Sequence, residues 1–187
     1  MTAYYYRNSV ICMNWAEIKY NDIANGEGVR TSLFVSGCRH HCKNCFNEIA
    51  WDFQYGKPFD EATAEKILNS VEPDWINGVS LLGGEPFEPE NQQALLDFLT
   101  EFKARFANKN VWCYTGFTYE EIMGTKAESC CFTDISKQLL SRIDILVDGR
   151  FVEELKDIRL KFRGSSNQRI IDVQKSLATG EIVLYME

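Results

Sequence analysis

The sequence predicts an α/β fold with parallel strands, on three observations. Short apolar, partly β-branched runs begin near positions 79, 111 and 143, spaced by about 32 residues, close to the length of one strand–helix–strand unit. Stretches with apolar residues at helical spacing separate these runs, and glycine-bearing loops follow them. The 187 residues fall short of the ~250 of a complete eight-unit barrel, which leaves a partial (β/α) barrel or an open sheet. With no repeat, low-complexity tract or Pro/Gly/Ser linker in view, one domain over residues 1–187 is expected.

The elements follow in chain order. Thr31-Ser32-Leu33-Phe34-Val35-Ser36 reads as a strand running into Gly37. Asp60 is placed to cap a helix carrying Ile67, Leu68 and Val71, which Pro73 stops. Val79-Ser80-Leu81-Leu82 is the next strand, ending in Gly83-Gly84, and Leu95, Leu99, Phe102 and Phe106 then recur as the core-packing stripe of a long helix. Val111-Trp112-Cys113-Tyr114 ends at Thr115-Gly116. A helical stretch with Leu139 and Leu140 leads to Ile143-Asp144-Ile145-Leu146-Val147, which stops at Asp148-Gly149. Gly37-Cys38, Gly83-Gly84-Glu85, Thr115-Gly116 and Asp148-Gly149 thus all follow strand C-termini, the edge where parallel α/β folds bind their ligands.

Composition excludes several classes. Hydrophobic residues make up 45% and charged residues 25% of the chain, the balance of a soluble globular domain, and no run approaches the ~18 apolar residues of a membrane span. No membrane role is expected. The start Met1-Thr2-Ala3-Tyr4-Tyr5-Tyr6-Arg7 lacks the features of a signal peptide, so the cytoplasm is the expected location. A net charge of −7 argues against nonspecific nucleic-acid binding, with Arg159, Lys161, Arg163 and Arg169 as the one local basic grouping. The seven cysteines are an odd number in a chain without an export signal, which favours metal or redox chemistry over a disulfide framework.

Three of those cysteines carry the argument. Cys38-Arg39-His40-His41-Cys42-Lys43-Asn44-Cys45 has the spacing C-x3-C-x2-C, short enough for one curled loop to aim three thiolates at a common centre. Three soft ligands suit an iron–sulfur cluster or zinc. A structural zinc would take a fourth protein ligand, from His40, His41 or a distant cysteine, whereas a [4Fe-4S] cluster on three thiolates leaves one iron open for reaction. On their own, His40 and His41 read as spacers, Gly83-Gly84 and Asp148-Gly149 as turns, and Cys12, Cys113, Cys130 and Cys131 as small apolar or partly exposed residues. A disulfide between the adjacent Cys130 and Cys131 would be strained.

The cysteine loop, the aromatic Phe46 after it and the later Gly83-Gly84-Glu85-Pro86 resemble the radical S-adenosylmethionine (SAM) superfamily. Within it, Asn25-Gly26-Glu27-Gly28-Val29-Arg30, Cys45-Phe46-Asn47, Val147-Asp148-Gly149-Arg150-Phe151 and Phe162-Arg163-Gly164-Ser165-Ser166-Asn167-Gln168 are similar to the anaerobic ribonucleoside-triphosphate reductase activating enzymes, over roughly residues 22 to 173. Glu27 stands where such enzymes often carry Pro, and the flanking Gly26 and Gly28 still permit the turn.

The resemblance implies a partial (β/α) barrel of radical SAM type with the cysteine loop at the C-terminal ends of the strands. It implies an oxidoreductase, akin to the formate-C-acetyltransferase-activating enzymes, in which a [4Fe-4S] cluster reductively cleaves SAM to a 5′-deoxyadenosyl radical. That radical would take hydrogen from a glycine of the anaerobic reductase, leaving a glycyl radical, with flavodoxin or ferredoxin as electron donor. Cys38, Cys42 and Cys45 would ligate the cluster. Asn44, Cys45, Phe46, Gly83, Gly84, Glu85, Thr115 and Gly116 would meet SAM, as would Asp148 and Arg150 acting as a polar pair, and Phe87, Tyr114 and Phe117 would help Phe46 wall the site. No residue is expected to act as an acid or base, since cluster and cosubstrate carry the chemistry. Two alternatives stay open: the same chemistry on another glycyl-radical enzyme or a small molecule, and a non-catalytic iron–sulfur or zinc protein.

Overall fold

The computed structural model describes residues 13–126 and 129–186, so Cys12 and the Met1–Arg7 start lie outside the described residues. Along the chain, β1 (Asn14–Asp22) and β2 (Val29–Val35) come first, then a 3-10 turn at Glu48–Trp51 and the short β3 (Lys57–Pro58). Next are α1 (Glu61–Val71), β4 (Ile76–Gly83), α2 (Pro89–Arg105) and β5 (Asn110–Tyr114). The short helices α3 (Tyr119–Ile122) and α4 (Ser136–Ser141) lead to β6 (Ile145–Asp148), and β7 (Arg169–Asp172), α5 (Val173–Thr179) and β8 (Leu184–Met186) complete the order.

The expected strands form, and β2, β4, β5 and β6 lie side by side in parallel. The sheet as a whole is mixed. Its order is β3-β1-β2-β4-β5-β6-β7-β8, with β1 and β3 antiparallel on one flank and β7 and β8 antiparallel on the other. The two end strands are not neighbours, so the sheet is open. The all-parallel expectation therefore holds for the central four strands and fails at both flanks. The short β1–β2 return, residues 23–28, can only make antiparallel neighbours, while β6 and β7 are joined by the longer segment 149–168 and β7 and β8 through α5.

Side chains alternate across the sheet. Leu33, Val35, Val79, Leu81, Val111, Cys113, Leu146 and Ile171 point to the helices and join Ile67, Leu68, Leu95, Leu99, Phe102, Leu139 and Leu140 in the larger apolar core. On the other face Trp112, Ile145, Val147 and Ile170 form a smaller cluster with Tyr114, Phe162 and Met186 packed on it. Asp60 caps α1 as expected, its carboxylate accepting from the Thr63 backbone N–H at 2.8 Å. Among the described residues no helix is long and apolar enough to cross a membrane.

That second face also holds a fully buried cation. Arg30 on β2 has 0% exposure and donates to Ser80 Oγ at 2.7 Å, the Val79 carbonyl at 2.7 Å, the Asn110 carbonyl at 3.0 Å and the Glu27 carbonyl at 3.1 Å. Burial pulls its pKa down to about 10, which still leaves it charged at neutral pH. It fastens the Gly26-Glu27-Gly28 turn onto the sheet. Gly26 and Gly28 have φ of +119° and +76°, and the Glu27 side chain accepts from the Tyr185 hydroxyl on β8 at 2.6 Å. The residue that stands in place of Pro thus ties the turn to the far edge strand.

Candidate functional site

The cysteine loop leaves the end of β2 and runs into the Glu48–Trp51 turn. Cys38 is buried and Cys42 and Cys45 are partly exposed; all three are free thiols. The Cys45 N–H donates to the Cys42 carbonyl at 3.1 Å, the Asn47 N–H approaches Cys45 Sγ at 3.4 Å, and His41 and Asn44 take up left-handed φ of 48° and 57°. These bends curl the segment. Among the described residues no set of three or more His, Cys, Asp or Glu is gathered to hold a single metal ion.

The three residues between Cys38 and Cys42 are anchors, including His40 and His41, which read as spacers from the sequence. Arg39 pairs with Glu88 and Glu90 at the start of α2 and lies 4.4 Å from the Phe53 ring centroid. His40 Nε2 lies 3.1 Å from Glu85 Oε2, and its ring packs 4.3 Å from that of Phe117. His41 stacks on Trp51 at 4.5 Å with the rings 10° from parallel.

Glu85 joins this loop to the strand ends. Its side chain is 1% exposed, and its two oxygens accept from Thr115 Oγ1 and the Gly116 N–H at 2.7 Å each, the Phe87 N–H at 2.8 Å and His40. The carboxylate is thereby fully engaged within the chain. Its own N–H donates to the Gly37 carbonyl at 2.8 Å, and the Gly84 N–H to the Val35 carbonyl at 2.7 Å. Neither glycine of the pair has room for a side chain: a Cβ on Gly84 would sit 2.5 Å from the Gly37 oxygen, and one on Gly83 2.7 Å from Phe34 Cα. Gly116 is equally confined, against the His40 ring.

Asp148 and Arg150 do not form the expected pair. Asp148 is 1% exposed and accepts from the Tyr119 N–H at 2.7 Å and from Arg169 Nε at 2.9 Å, while Arg169 reaches on to Glu120 at 2.8 and 3.0 Å. Two residues on, past Gly149 at φ +97°, Arg150 instead donates to the His40 carbonyl inside the cysteine loop. A cleft of about 620 Å³ opens here, lined by Thr118, Glu120, Lys126, Asp148, Arg150 and Arg169. The local basic grouping also dissolves. Arg159 pairs with Asp157, Arg169 with two carboxylates, and Arg163 donates to the Gln168 carbonyl.

Of the aromatic residues expected to wall the site, Phe87 and Phe117 are buried and Tyr114 is half-buried. Phe46, at 83% exposure, faces solvent. Cys113 and Cys131 are both buried in the larger core, and Cys130 is exposed.

The donor set fits an iron–sulfur cluster. Burial, then the charge of Glu85, pushes the Cys38 thiol up to about 12, with the backbone N–H groups of His40 and His41 pulling the other way. A bare thiolate is disfavoured there, and coordination to a metal, iron or zinc alike, would ionise this sulfur. The confined glycines lie at the strand ends beside the same loop.

Comparison with known proteins is concordant. Residues 24–171 match a family described as a 4Fe-4S single cluster domain. The chain is 40% identical over 160 residues, 84% of its length and 96% of the relative's, to the anaerobic ribonucleoside-triphosphate reductase-activating protein of Pasteurella multocida (strain Pm70). The protein of the same name from Escherichia coli (strain K12) is 37% identical over 158 residues, 83% of this chain and 96% of the relative. The one from Enterobacteria phage T4 is 32% identical over 158 residues, 84% and 93%.

Proposed function

Since the chain belongs to the anaerobic ribonucleoside-triphosphate reductase-activating proteins and carries a 4Fe-4S domain over residues 24–171, we propose that it installs a glycyl radical in such a reductase by radical SAM chemistry. The observation that carries this reading is the set of three free cysteines on a loop tied through His40 and Glu85 to the ends of three parallel strands. When bound, the cluster and SAM supply a one-electron cleavage that yields methionine and a 5′-deoxyadenosyl radical, which takes a hydrogen atom from a reductase glycine.

The chain's own residues hold, orient and shield. Cys38, Cys42 and Cys45 are the cluster ligands. Gly83 and Gly84 let backbone approach SAM closely, and Asn44, Phe46 and Arg150 contact it from the cysteine loop and from the segment after β6. Glu85, Thr115 and Asp148 act by holding the loops that bear those contacts. Phe87 and Phe117 keep water from the inner wall, and Phe46, open to solvent, becomes covered when SAM and the reductase are in place. The fold is a partial barrel of radical SAM type formed by a single domain over residues 1–187. The reaction class is that of the formate-C-acetyltransferase-activating enzymes, an oxidoreductase fed by flavodoxin or ferredoxin.

Anaerobic incubation of the iron-loaded protein with SAM and a reductant is expected to release 5′-deoxyadenosine. Addition of an anaerobic ribonucleotide reductase should then give a glycyl-radical signal by electron paramagnetic resonance. Cys38→Ser should do neither, and turnover by that variant at the wild-type rate would sink the ligand assignment. Zinc in place of iron and sulfide in the isolated protein would overturn the reading altogether.

A further inference from the structure

The stretch Arg163–Gln168 lies far in sequence from every residue assigned above, yet it is folded against one of them. Gln168 Oε1 accepts from the Gly164 and Ser165 N–H groups at 2.9 and 3.1 Å, closing the stretch into a turn. Its Nε2 then donates outward to the Gly149 carbonyl at 3.0 Å, and Asn167 Nδ2 donates to the Arg150 carbonyl at 2.8 Å. Ser165, buried, accepts from the Val152 N–H at 3.2 Å. Successive backbone groups of the segment after β6 are thus gripped by one turn. Gly149 has φ +97°, which glycine adopts without steric cost, and Arg150, which follows it, reaches the His40 carbonyl between Cys38 and Cys42.

We infer that Arg163–Gln168 is a clasp whose Asn167 and Gln168 are positioning residues: they fix the Gly149–Arg150 backbone so that the Arg150 guanidinium locks the cysteine loop. The two amides do this with donors. The Gln168 oxygen closes the turn, while both N–H₂ groups donate to backbone carbonyls of the segment after β6. The inference rests on the reading of Cys38–Cys45 as the cluster loop, but the contact chain from Gln168 to His40 involves only the chain's own residues and is testable without the cluster.

The variants Gln168→Glu and Asn167→Asp separate the two duties. Each keeps the side-chain acceptor and the volume and removes the N–H₂ donor. Amide hydrogen exchange on the metal-free full chain is expected to quicken about fivefold, the factor one lost hydrogen bond supplies, both at Arg150–Val152 and at Arg39–Cys45. Amides of β4 and β5 should not change. Arg150→Ala should loosen Arg39–Cys45 to the same extent, and combining it with Gln168→Glu should add nothing further there. Loosening confined to Arg150–Val152, additive effects in the double variant, uniform loosening of the whole chain, or no change would each overturn the clasp. Release of 5′-deoxyadenosine by the wild-type protein, measured separately, tests the radical SAM reading and leaves this result unaffected.

Discussion

At Gly84 a single methyl group separates a working site from a broken one. Its Cβ would meet two backbone oxygens, Gly37 at 2.5 Å and Ala50 at 2.8 Å, and backbone cannot swing aside as a flexible side chain can. Gly84→Ala should therefore cost ~1–3 kcal/mol of stability, the range for overpacking, and the displaced loop is the one that carries the cysteines, so iron loading should fall with it. Gly180 is the control. It ends α5 at φ +75° with open space around it, so Gly180→Ala should cost ~1–2 kcal/mol through backbone strain alone and leave iron content intact. Thermal unfolding and iron and sulfide analysis of both variants check the contrast; equal iron loss would deny Gly84 its special place. The thiols and glycines of the site were legible in the sequence because spacing and residue type carry their chemistry. The anchoring by Arg39, His40 and His41 was not, since each partner lies on another element, and neither was the exchange of Arg150 for Arg169 as the partner of Asp148.

Strands β4 and β5 and the cysteine loop meet at one carboxylate, and the element scale is where its removal should be felt. Both Glu85 oxygens accept a backbone N–H, from Phe87 and from Gly116. Glu85→Gln must therefore turn an N–H₂ group toward one of these donors whichever way the amide lies. A buried donor left facing a donor costs ~1–3 kcal/mol, and the loss should appear as faster amide exchange at Thr115–Phe117 and across the cysteine loop together. Exchange that quickens at only one of the two would show that Glu85 does not couple them. The same scale explains which elements the sequence displayed. Leu81, Leu82, Val111 and Leu146 lie in strands buried on both faces, whose near-continuous apolar runs are visible without context. β1 is buried only at its two ends, Asn14 and Asp22, with half-buried and exposed residues between them, and β7 and β8 are too short for any period to emerge. The flanking antiparallel strands therefore escaped notice, and with them the mixed character of the sheet.

Across the whole molecule, the site and the source of stability occupy different places. The larger apolar core runs from Met13 to Val173 through five helices and contains none of Cys38, Cys42 or Cys45. The loop that bears them is held instead by Arg39, His40 and His41 and by the Glu85 bonds. A small zinc-dependent module behaves otherwise, because there metal binding is itself the folding free energy and the metal-free chain is unfolded. Removal of iron under anaerobic chelation should accordingly leave the far-ultraviolet circular dichroism of this chain unchanged and one cooperative unfolding transition of ~5–15 kcal/mol, the ordinary range for a domain. Added hydrogen exchange on metal removal should be confined to the segment from Gly37 to Trp51, while the amides of β4, β5 and α2 keep their protection. A metal-free protein with a coil-like spectrum and no transition would show that the cysteines hold the fold, and would move the chain toward the metal-stabilised class that its cysteine spacing alone permits.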